Sequence, residues 1–225
     1  MGKIIYGIYG ASGFGREVMP LLRDMVSSDS VDYELLFIDD SIGNKSEING
    51  YKIISFEHFL TMPAQKRYVN IAIANSNIRE ELTHRCLKNS IELIDIRATN
   101  AIVLDSVSMD SGSILCPFVT LTSNIKIGRS FHANIYSYVA HDCTIGDYVT
   151  FAPAVRCNGN VTVGDHAYIG TGAIIKQGRA DRPLVIGRGA VIGAGAVVTK
   201  SVPDGMTVFG NPAIELTKEN LKRRR

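Results

Sequence analysis

The stretch SYVAHDCTIGDYVTFAPA, residues 137–154, divides into three blocks of six in which the third residue is apolar. These third residues are Val139, Ile145 and Phe151. The same pattern runs through residues 101–178 and resumes after the interruption RADRP, residues 179–183, so that sixteen blocks follow it. A period of six with turn-forming residues in the second half of each block indicates a parallel β-helix.

The alternation of a strand predicts which positions of each block face the interior. The first and third residues point inward and the second points outward. First positions such as Val119, Ala167 and Ala190 are small or aliphatic, as a narrow interior requires. Three blocks complete one coil, so the repeats predict about five coils that each rise about 4.8 Å.

The residues before position 97 follow a different pattern. Strand-like KIIYGIYG and YELLFIDD alternate with helix-like FGREVMPLLRDMV and NIREELTHRCLKN. This alternation predicts a small parallel sheet of the Rossmann type. The predicted fold is therefore an α/β, Rossmann-like domain at residues 1–97 and a β-helix domain at residues 98–225. The basic end, residues 222–225, is predicted to be a frayed tail.

The composition excludes several classes of function. The net charge is +2 with both signs spread along the chain, which argues against nucleic acid or an anionic membrane as the main partner. No run approaches the roughly 20 apolar residues of a membrane span. The four cysteines show neither CxxC pairs nor zinc-ligand spacing, so we expect no metal and no disulfides, and a cytoplasmic protein.

The segment YGASGFGRE predicts a binding turn between the first strand and the first helix. The strand is expected to end at Gly10 and the helix to begin near Phe14, with Ser12 and Gly13 between them. Free backbone N–H groups at a helix N-terminus suit a phosphate. The spacing GxxGxG differs from the dinucleotide motif GxGxxG, so a tight turn without a ligand is the alternative.

Polar residues at two further predicted strand ends favour a nucleotide-type ligand. Asp39 and Asp40 follow the second strand, and Asn75 is expected to end the third. In this fold such positions face a ribose or sugar hydroxyl. An NAD(P)-dependent oxidoreductase would use the same turn and Asp39, but the glycine spacing and the lack of a separate substrate domain count against it.

The combination of both halves resembles a known family. The repeats with the C-terminal VPDGMTVFGNPAIEL resemble hexapeptide-repeat acyltransferases, whose left-handed β-helices use acyl-CoA. The N-terminal YGASGFGRE, FIDD and AIAN resemble the subgroup that acetylates amino sugars carried on nucleotides. This resemblance covers nearly the whole chain. It implies acetyl-CoA as co-substrate, a nucleotide sugar as acceptor, no metal, and a homotrimer with acyl-CoA between neighbouring subunits.

The resemblance also assigns roles to particular residues. His141 and Asp142 match the catalytic histidine and the acidic residue that follows it, and Asn134 would line the reacting site. The nucleotide sugar would be held by Ser12, Gly13, Asp39 and Asp40. Acetyl-CoA would be flanked by Thr150, Thr171 and Ala194.

The position of His141 in its block agrees with a chemical role. Val139 is predicted to point inward, which leaves His141 in the bend, where side chains project outward. Neutral imidazole, with an ordinary pKa of about 6.5, can take a proton from a sugar ammonium near neutral pH. Asp142 would then fix the tautomer. An idle surface histidine in a noncatalytic scaffold is the alternative reading, and O-acetylation is an alternative reaction.

Overall fold

A computed structural model describes residues 3–27, 32–41, 43 and 46–222. The chain divides into two compact units, Met1–Thr99 with Ser111–Ile114 and Asn100–Asp110 with Leu115–Arg225. Residues 223–225 of the predicted tail lie outside the described residues. The helices are α1 Gly13–Val26, α2 Phe56–Thr61, α3 Ser76–Lys88 and α4 Lys218–Lys222.

The first unit is an α/β unit built around a parallel sheet. Its strands are β1 Ile4–Tyr9, β2 Tyr33–Ile38, β3 Glu47–Ile48, β4 Tyr51–Ile54, β5 Lys66–Ile71 and β6 Glu92–Leu93. Their order is β3-β4-β2-β1-β5-β6, and only the β3–β4 pair is antiparallel. β1 is almost completely buried because strands flank it on both sides and both faces are covered, which explains its continuous apolar sequence.

Two details of this unit differ from the sequence prediction. β3 and β4 form a hairpin around Asn49 and Gly50, which both have positive φ. The Asn-Gly pair is a strong hairpin signal that our reading of the sequence missed. β5 ends at Ile71, so Asn75 does not end the third predicted strand and instead precedes α3.

The remaining strands are short, and all except the first, which precedes the repeats, belong to the repeats or follow them. They are β7 Ile96–Arg97, β8 Ile102–Val103, β9 Val107–Met109, β10 Ile114–Leu115, β11 Thr120–Leu121, β12 Ile125–Ile127, β13 His132–Ala133, β14 Tyr138–Val139, β15 Thr144–Ile145, β16 Thr150–Phe151, β17 Arg156–Cys157, β18 Val161–Val163, β19 Tyr168–Ile169, β20 Ile174–Ile175, β21 Leu184–Ile186, β22 Val191–Ile192, β23 Val197–Val198, β24 Thr207–Phe209 and β25 Ile214–Glu215.

Successive strands of the second unit rotate among three parallel sheets. The first sheet contains β13, β16, β19, β22 and β24, the second β8, β11, β14, β17, β20 and β23, and the third β9, β12, β15, β18 and β21. Thr120 pairs with Tyr138, which pairs with Arg156, so one coil takes 18 residues. These stacked parallel sheets form the parallel β-helix that the blocks predict.

The interior of this column follows the predicted alternation, with exceptions at its start. First and third residues from Val119 to Val198 are buried, whereas Val103 and Met109 in the first coil are only half-buried. His132 and Thr150 occupy second positions, which the alternation predicts to be exposed, yet both are buried. The alternation thus predicts the burial of first and third positions more accurately than the exposure of second positions.

Nearly every bend of the column turns through a residue with positive φ. The sixth residue of nearly every block adopts this conformation, including Ser106, Asn124, Asp142 and His166. We call the bends after the first-sheet strands the first corner and the bends after the second-sheet strands the second corner. The first corner contains Asn134, Thr171 and Ala194; the second corner contains Asn124, His141, Asp142, Gly159, Asn160, Lys176 and Lys200.

Candidate active site

His141 lies in the second corner after β14 and points away from the interior. Val139, two residues earlier, is 1% exposed, whereas the His141 side chain is 47% exposed. Its backbone is fixed from the next coil, because the N–H of Asn160 donates to the His141 carbonyl over 3.0 Å. The imidazole is therefore presented to solvent from a rigid bend.

Asp142 holds one nitrogen of this imidazole. Nδ1 of His141 lies 2.7 Å from Oδ2 of Asp142. The hydrogen bond with His141, and then the one with Asn124, lower the pKa of the Asp142 carboxyl below its ordinary value. The carboxylate accepts the Nδ1 proton of neutral imidazole, which leaves the Nε2 lone pair to accept a proton from a substrate.

Gly159, one coil beyond His141, packs against the His141 ring. A β-carbon added to this glycine would come within 2.9 Å of three atoms of the His141 ring. The backbone of residue 159 thus forms a wall against the imidazole. Our reading of the sequence did not include Gly159, because this contact depends on the stacking of coils and not on any local motif.

The residues expected to flank acetyl-CoA lie on another part of the column. Thr150 belongs to β16 of the first sheet, and Thr171 and Ala194 lie in the first corner on the following two coils. Asn134 lies in the same corner, and its side-chain oxygen accepts a hydrogen bond from the N–H of Ile135. Within one chain these four residues lie on or directly after strands of the first sheet, on four successive coils, whereas His141 lies in a different corner.

A basic cavity opens in the second corner, two to three coils beyond His141. Its volume is about 510 Å³, and its lining includes Lys176, Arg179, Arg182 and Lys200. Arg179 pairs with Asp181 at 3.0 Å, so the other three cations carry most of the positive charge. The interruption RADRP supplies part of the lining, and Lys176 and Lys200, which the sequence analysis did not single out, supply another part.

The glycine turn of the first unit leads directly from β1 into α1. Gly10 has φ +104°, and a β-carbon on Gly15 would collide with the Gly10 carbonyl, so both positions require glycine. Ser12 is the N-cap of α1, but its side chain makes no capping bond. Gly13 is the first residue of α1, and no hydrogen-bond acceptor for its backbone N–H is found among the described residues, as is usual in the first turn of a helix.

Asp39 supports this turn from the end of β2. Oδ2 accepts the N–H of Ala11 over 2.9 Å, and Oδ1 accepts the N–H and the hydroxyl of Ser41. Burial raises the pKa of Asp39, but these hydrogen bonds outweigh it and hold the pKa below the ordinary value. The carboxylate is thus ionised and adjacent to the turn.

Asp40 is engaged in a network that the sequence did not predict. Oδ2 accepts from the Tyr9 hydroxyl at 2.5 Å and from Arg85 at 2.7 Å, and Oδ1 accepts the N–H of Phe56 at 2.8 Å. Arg85 also pairs with Glu57 at 3.1 Å and lies over the Phe56 ring. Arg85 comes from α3, 45 residues from Asp40, so no local signal could have shown this contact.

Asn75 caps the start of α3 and does not lie at the end of a strand. Its side-chain oxygen accepts the N–H groups of Asn77 and Ile78 and so caps α3. The side chain is committed to the helix start, as is common for asparagine. The expectation that it opens into the crevice from a strand end is corrected accordingly.

Comparison with known proteins identifies the family. Residues 5–86 match the model of the PglD N-terminal domain. Over 215 residues, 95% of this chain and 97% of the other, the protein is 53% identical to GDP-perosamine N-acetyltransferase of Escherichia coli O157:H7. The chain belongs to this family of sugar N-acetyltransferases.

Solved structures of this family have the same fold. WeeI from Acinetobacter baumannii AYE is 56% identical, with a TM-score of 0.91 over 95% of this chain and 100% of that one. The acetyltransferase domain of PglB from Neisseria gonorrhoeae FA1090, solved in complex with acetyl coenzyme A, is 27% identical, with a TM-score of 0.83 over 94% and 98%. As a member of the family, this chain is an acetyl-CoA-dependent sugar N-acetyltransferase.

Two further observations on this N-acetyltransferase concern metal-ligand clusters and membrane-spanning helices. Among the described residues, no three His, Cys, Asp or Glu side chains are arranged to hold a metal ion. Nor does the part of the chain that the structure describes contain a helix of the length and apolarity needed to cross a bilayer.

Proposed function

We propose that this enzyme moves the acetyl group of acetyl-CoA to the 4-amino group of a nucleotide-linked deoxysugar, GDP-perosamine. The observation that carries the proposal is the outward imidazole of His141 with Nδ1 bound to Asp142. Sequence identity of 53% over nearly the whole chain to a protein of that named activity supports the choice of sugar nucleotide.

The proposed reaction needs one general base and no covalent enzyme intermediate. Nε2 of His141 takes a proton from the sugar ammonium, and the resulting amine attacks the thioester carbonyl. The new C–N bond forms as the C–S bond breaks, and the nitrogen releases its second proton to solvent to become the amide. The leaving CoA thiolate takes its proton from the imidazolium, so the whole reaction releases one proton. Asp142 holds the imidazole in the required tautomer and stabilises its charged form.

We assign the two predicted domains to the two substrates. Residues 1–97 form a Rossmann-like domain that holds the nucleotide sugar, with its phosphates at Gly10, Ser12, Gly13 and Phe14. The free N–H of Gly13 and the ionised Asp39 beside the turn support this assignment. Residues 98–225 form the left-handed β-helix acyltransferase domain.

The basic cavity supports the choice of acetyl-CoA as donor. CoA carries its phosphates at the far end of a long arm from the thioester. Lys176, Arg182 and Lys200 lie in the same corner as His141, two to three coils along the column, which suits an extended donor whose thioester reaches His141. We place the enzyme in the cytoplasm, in keeping with four free cysteines.

The separation of the two corners supports a site shared between subunits. Thr171 and Ala194 lie in the first corner and His141 in the second, so one chain does not bring both sides of the donor together. We propose a homotrimer in which the second corner of one subunit faces the first corner of its neighbour. Light scattering at micromolar concentration should give a trimer, and a monomer would reject the shared site.

The proposed reaction is tested by release of free CoA thiol from acetyl-CoA with a panel of amino-sugar nucleotides. GDP-perosamine should give the highest kcat/KM, and product analysis should show an amide at the 4-position. Preference for a UDP- or dTDP-linked 4-amino sugar would overturn the sugar assignment and keep the reaction class. An ester product would replace N-acetylation by O-acetylation.

A further inference from the structure

The second corner contains a side chain that contacts the far side of Asp142. Asn124, one coil before Asp142, donates from Nδ2 to Oδ1 of Asp142 over 3.2 Å. The other carboxylate oxygen, Oδ2, is the one that faces His141. The two oxygens of Asp142 are therefore occupied by different partners, an amide on one coil and an imidazole on the next.

The backbone keeps the amide and the carboxylate in register. The N–H of Asp142 donates to the carbonyl of Ser123 over 3.0 Å, and the N–H of Ile125 donates to the carbonyl of Ser106. Asn124 and Asp142 also share the same positive-φ conformation, with φ values of 56° and 57°. Two rigid bends thus hold the side chains at a fixed separation.

We propose that Asn124 is a positioning residue for the N-acetyltransfer reaction, acting on His141 through Asp142. Its amide fixes the rotation of the carboxylate so that Oδ2 faces Nδ1, and its dipole stabilises the ionised carboxylate. This inference rests on the proposed role of His141. It goes beyond that role by adding a third member, one coil away, to the histidine–aspartate pair.

A purely conformational role is the competing explanation for Asn124. Asparagine tolerates positive φ better than most residues. Ser106 occupies the same corner one coil earlier with φ 60°, and no contact between its side chain and Asp142 is present. A residue at this position therefore need not touch the carboxylate to form the bend, and Ser106 provides a matched control.

The charges that act on the pair are few among the described residues. Asp142 and His141 act on each other, and the buried thiol of Cys143 lies behind them, with its Sγ 3.5 Å from the His141 carbonyl. Asn124 is neutral, so replacing it by aspartate would introduce a new negative charge directly against Asp142. Such a charge would favour the imidazolium form of His141.

The experiment compares Asn124→Gly, Asn124→Asp and the control Ser106→Gly. Glycine keeps the positive-φ bend, so Asn124→Gly should lower kcat about 3- to 10-fold, as loss of an exposed charge-assisted hydrogen bond would, with both KM values unchanged. Ser106→Gly should leave kcat within about 2-fold, since surface changes of this kind are small. Asn124→Asp should move the acid limb of the kcat/KM profile to higher pH.

The outcomes separate this inference from the proposed function. Equal kcat values for Asn124→Gly and Ser106→Gly, or an unchanged pH profile for Asn124→Asp, would overturn the positioning role. If His141→Ala retains wild-type kcat, the general-base proposal itself fails. A lower melting temperature for the Asn124 variants without any change in kcat or the pH profile would show a role in the bend alone.

Discussion

The α-carbon of Gly159 lies against the imidazole of His141, and a methyl group added to this glycine would lie 2.5–2.9 Å from Cε1, Nε2 and Nδ1 of the ring. The ring keeps its place only because residue 159 has no side chain. Gly159→Ala should therefore displace the imidazole and lower kcat about 10²-fold, the cost of misplacing a reacting group by about an ångström. Steady-state kinetics with both substrates measures this.

A double variant tests whether that loss passes through the histidine. φ of Gly159 lies outside the left-handed region, so alanine is compatible with its backbone and the melting temperature should stay close to that of the wild type. His141→Ala with Gly159→Ala should be no slower than His141→Ala alone, because both changes remove the same interaction. Additive losses would mean that Gly159 acts independently of the ring.

Removal of the imidazole should abolish most of the turnover without unfolding the protein. His141→Ala should lower kcat by about 10² to 10⁴, the usual contribution of a positioned proton acceptor. The fold should persist because the apolar ladder of Val139 and Ile145 is untouched, which thermal melting would show. Asp142→Asn should cost less, since it leaves the base in place. A folded His141→Ala enzyme with near wild-type kcat would locate the base elsewhere.

The pH dependence should distinguish the two members of this pair. The pKa of Asp142 is lowered, so its carboxylate stays ionised until the pH falls below the ordinary range for aspartate, about 3.9. Because Asp142 is already ionised above that range, an acid limb of log kcat/KM that arises from the general base should vanish in His141→Ala. An acid limb that survives in this variant would belong to the substrate ammonium.

The variants Asp39→Ala and Asp40→Ala should have similar effects on binding of the sugar nucleotide and different effects on protein stability. Each alanine variant should raise the KM for the sugar nucleotide and leave that for acetyl-CoA nearly unchanged, because only the first unit is altered. Asp40→Ala should also lower the melting temperature, since it removes the acceptor of the Tyr9 hydroxyl and of the Phe56 N–H and one of the two acidic partners of Arg85. An equal effect on both KM values would contradict the assignment of the two domains.

The difference in stability between the wild type and an Asp40 variant should decrease as the pH falls. Burial raises the pKa of Asp40, but the bonds from Tyr9, Phe56 and Arg85 lower it below the ordinary value. Its contribution is therefore present above about pH 3.9 and lost as the pH falls through the lowered pKa. Melting curves of the wild type and Asp40→Asn should converge toward low pH, and a difference that widens there would contradict this account.

The basic cavity should contribute to binding of the donor. Arg182→Met and Lys200→Met should each raise the KM for acetyl-CoA about 10-fold, a loss of about 1.4 kcal/mol, and leave kcat similar. Arg188→Met, at an exposed position in another corner, is the matched control. Acetyl-dephospho-CoA, which lacks the 3′-phosphate, should show a smaller difference between wild type and variant if that phosphate is the group bound. Equal KM values throughout would place the phosphates elsewhere.

The repeats were predictable because their signal is local and is repeated sixteen times. Val139, Ile145 and Phe151 each occupy a third position, and all are buried in the structure. The outward direction of His141 followed from the same alternation. The hairpin at Asn49 and Gly50 also had a local signal, the Asn-Gly pair itself. No stronger pattern contradicted this signal, but it was overlooked.

Other parts of the site were not accessible from the sequence, because they depend on contacts across coils or between distant elements. Gly159 meets His141 and Asn124 meets Asp142 only because 18 residues complete one coil. Arg85 reaches Asp40 from a helix 45 residues away. Asn75 was misplaced because the apolar run that contains β5 continues beyond the last paired residue of that strand.

The loop at residues 179–183 shows that the coils tolerate changes in chain length at a corner. Ile174 still pairs with Val197, although 23 residues separate them where other coils have 18. Duplication or deletion of one whole coil would likewise preserve the pairing and change the height of the column by about 4.8 Å. The separation between His141 and the basic cavity therefore changes only in steps of one coil, and an enlarged or shortened donor could be matched in evolution by a single in-frame gain or loss of 18 codons between His141 and Lys176.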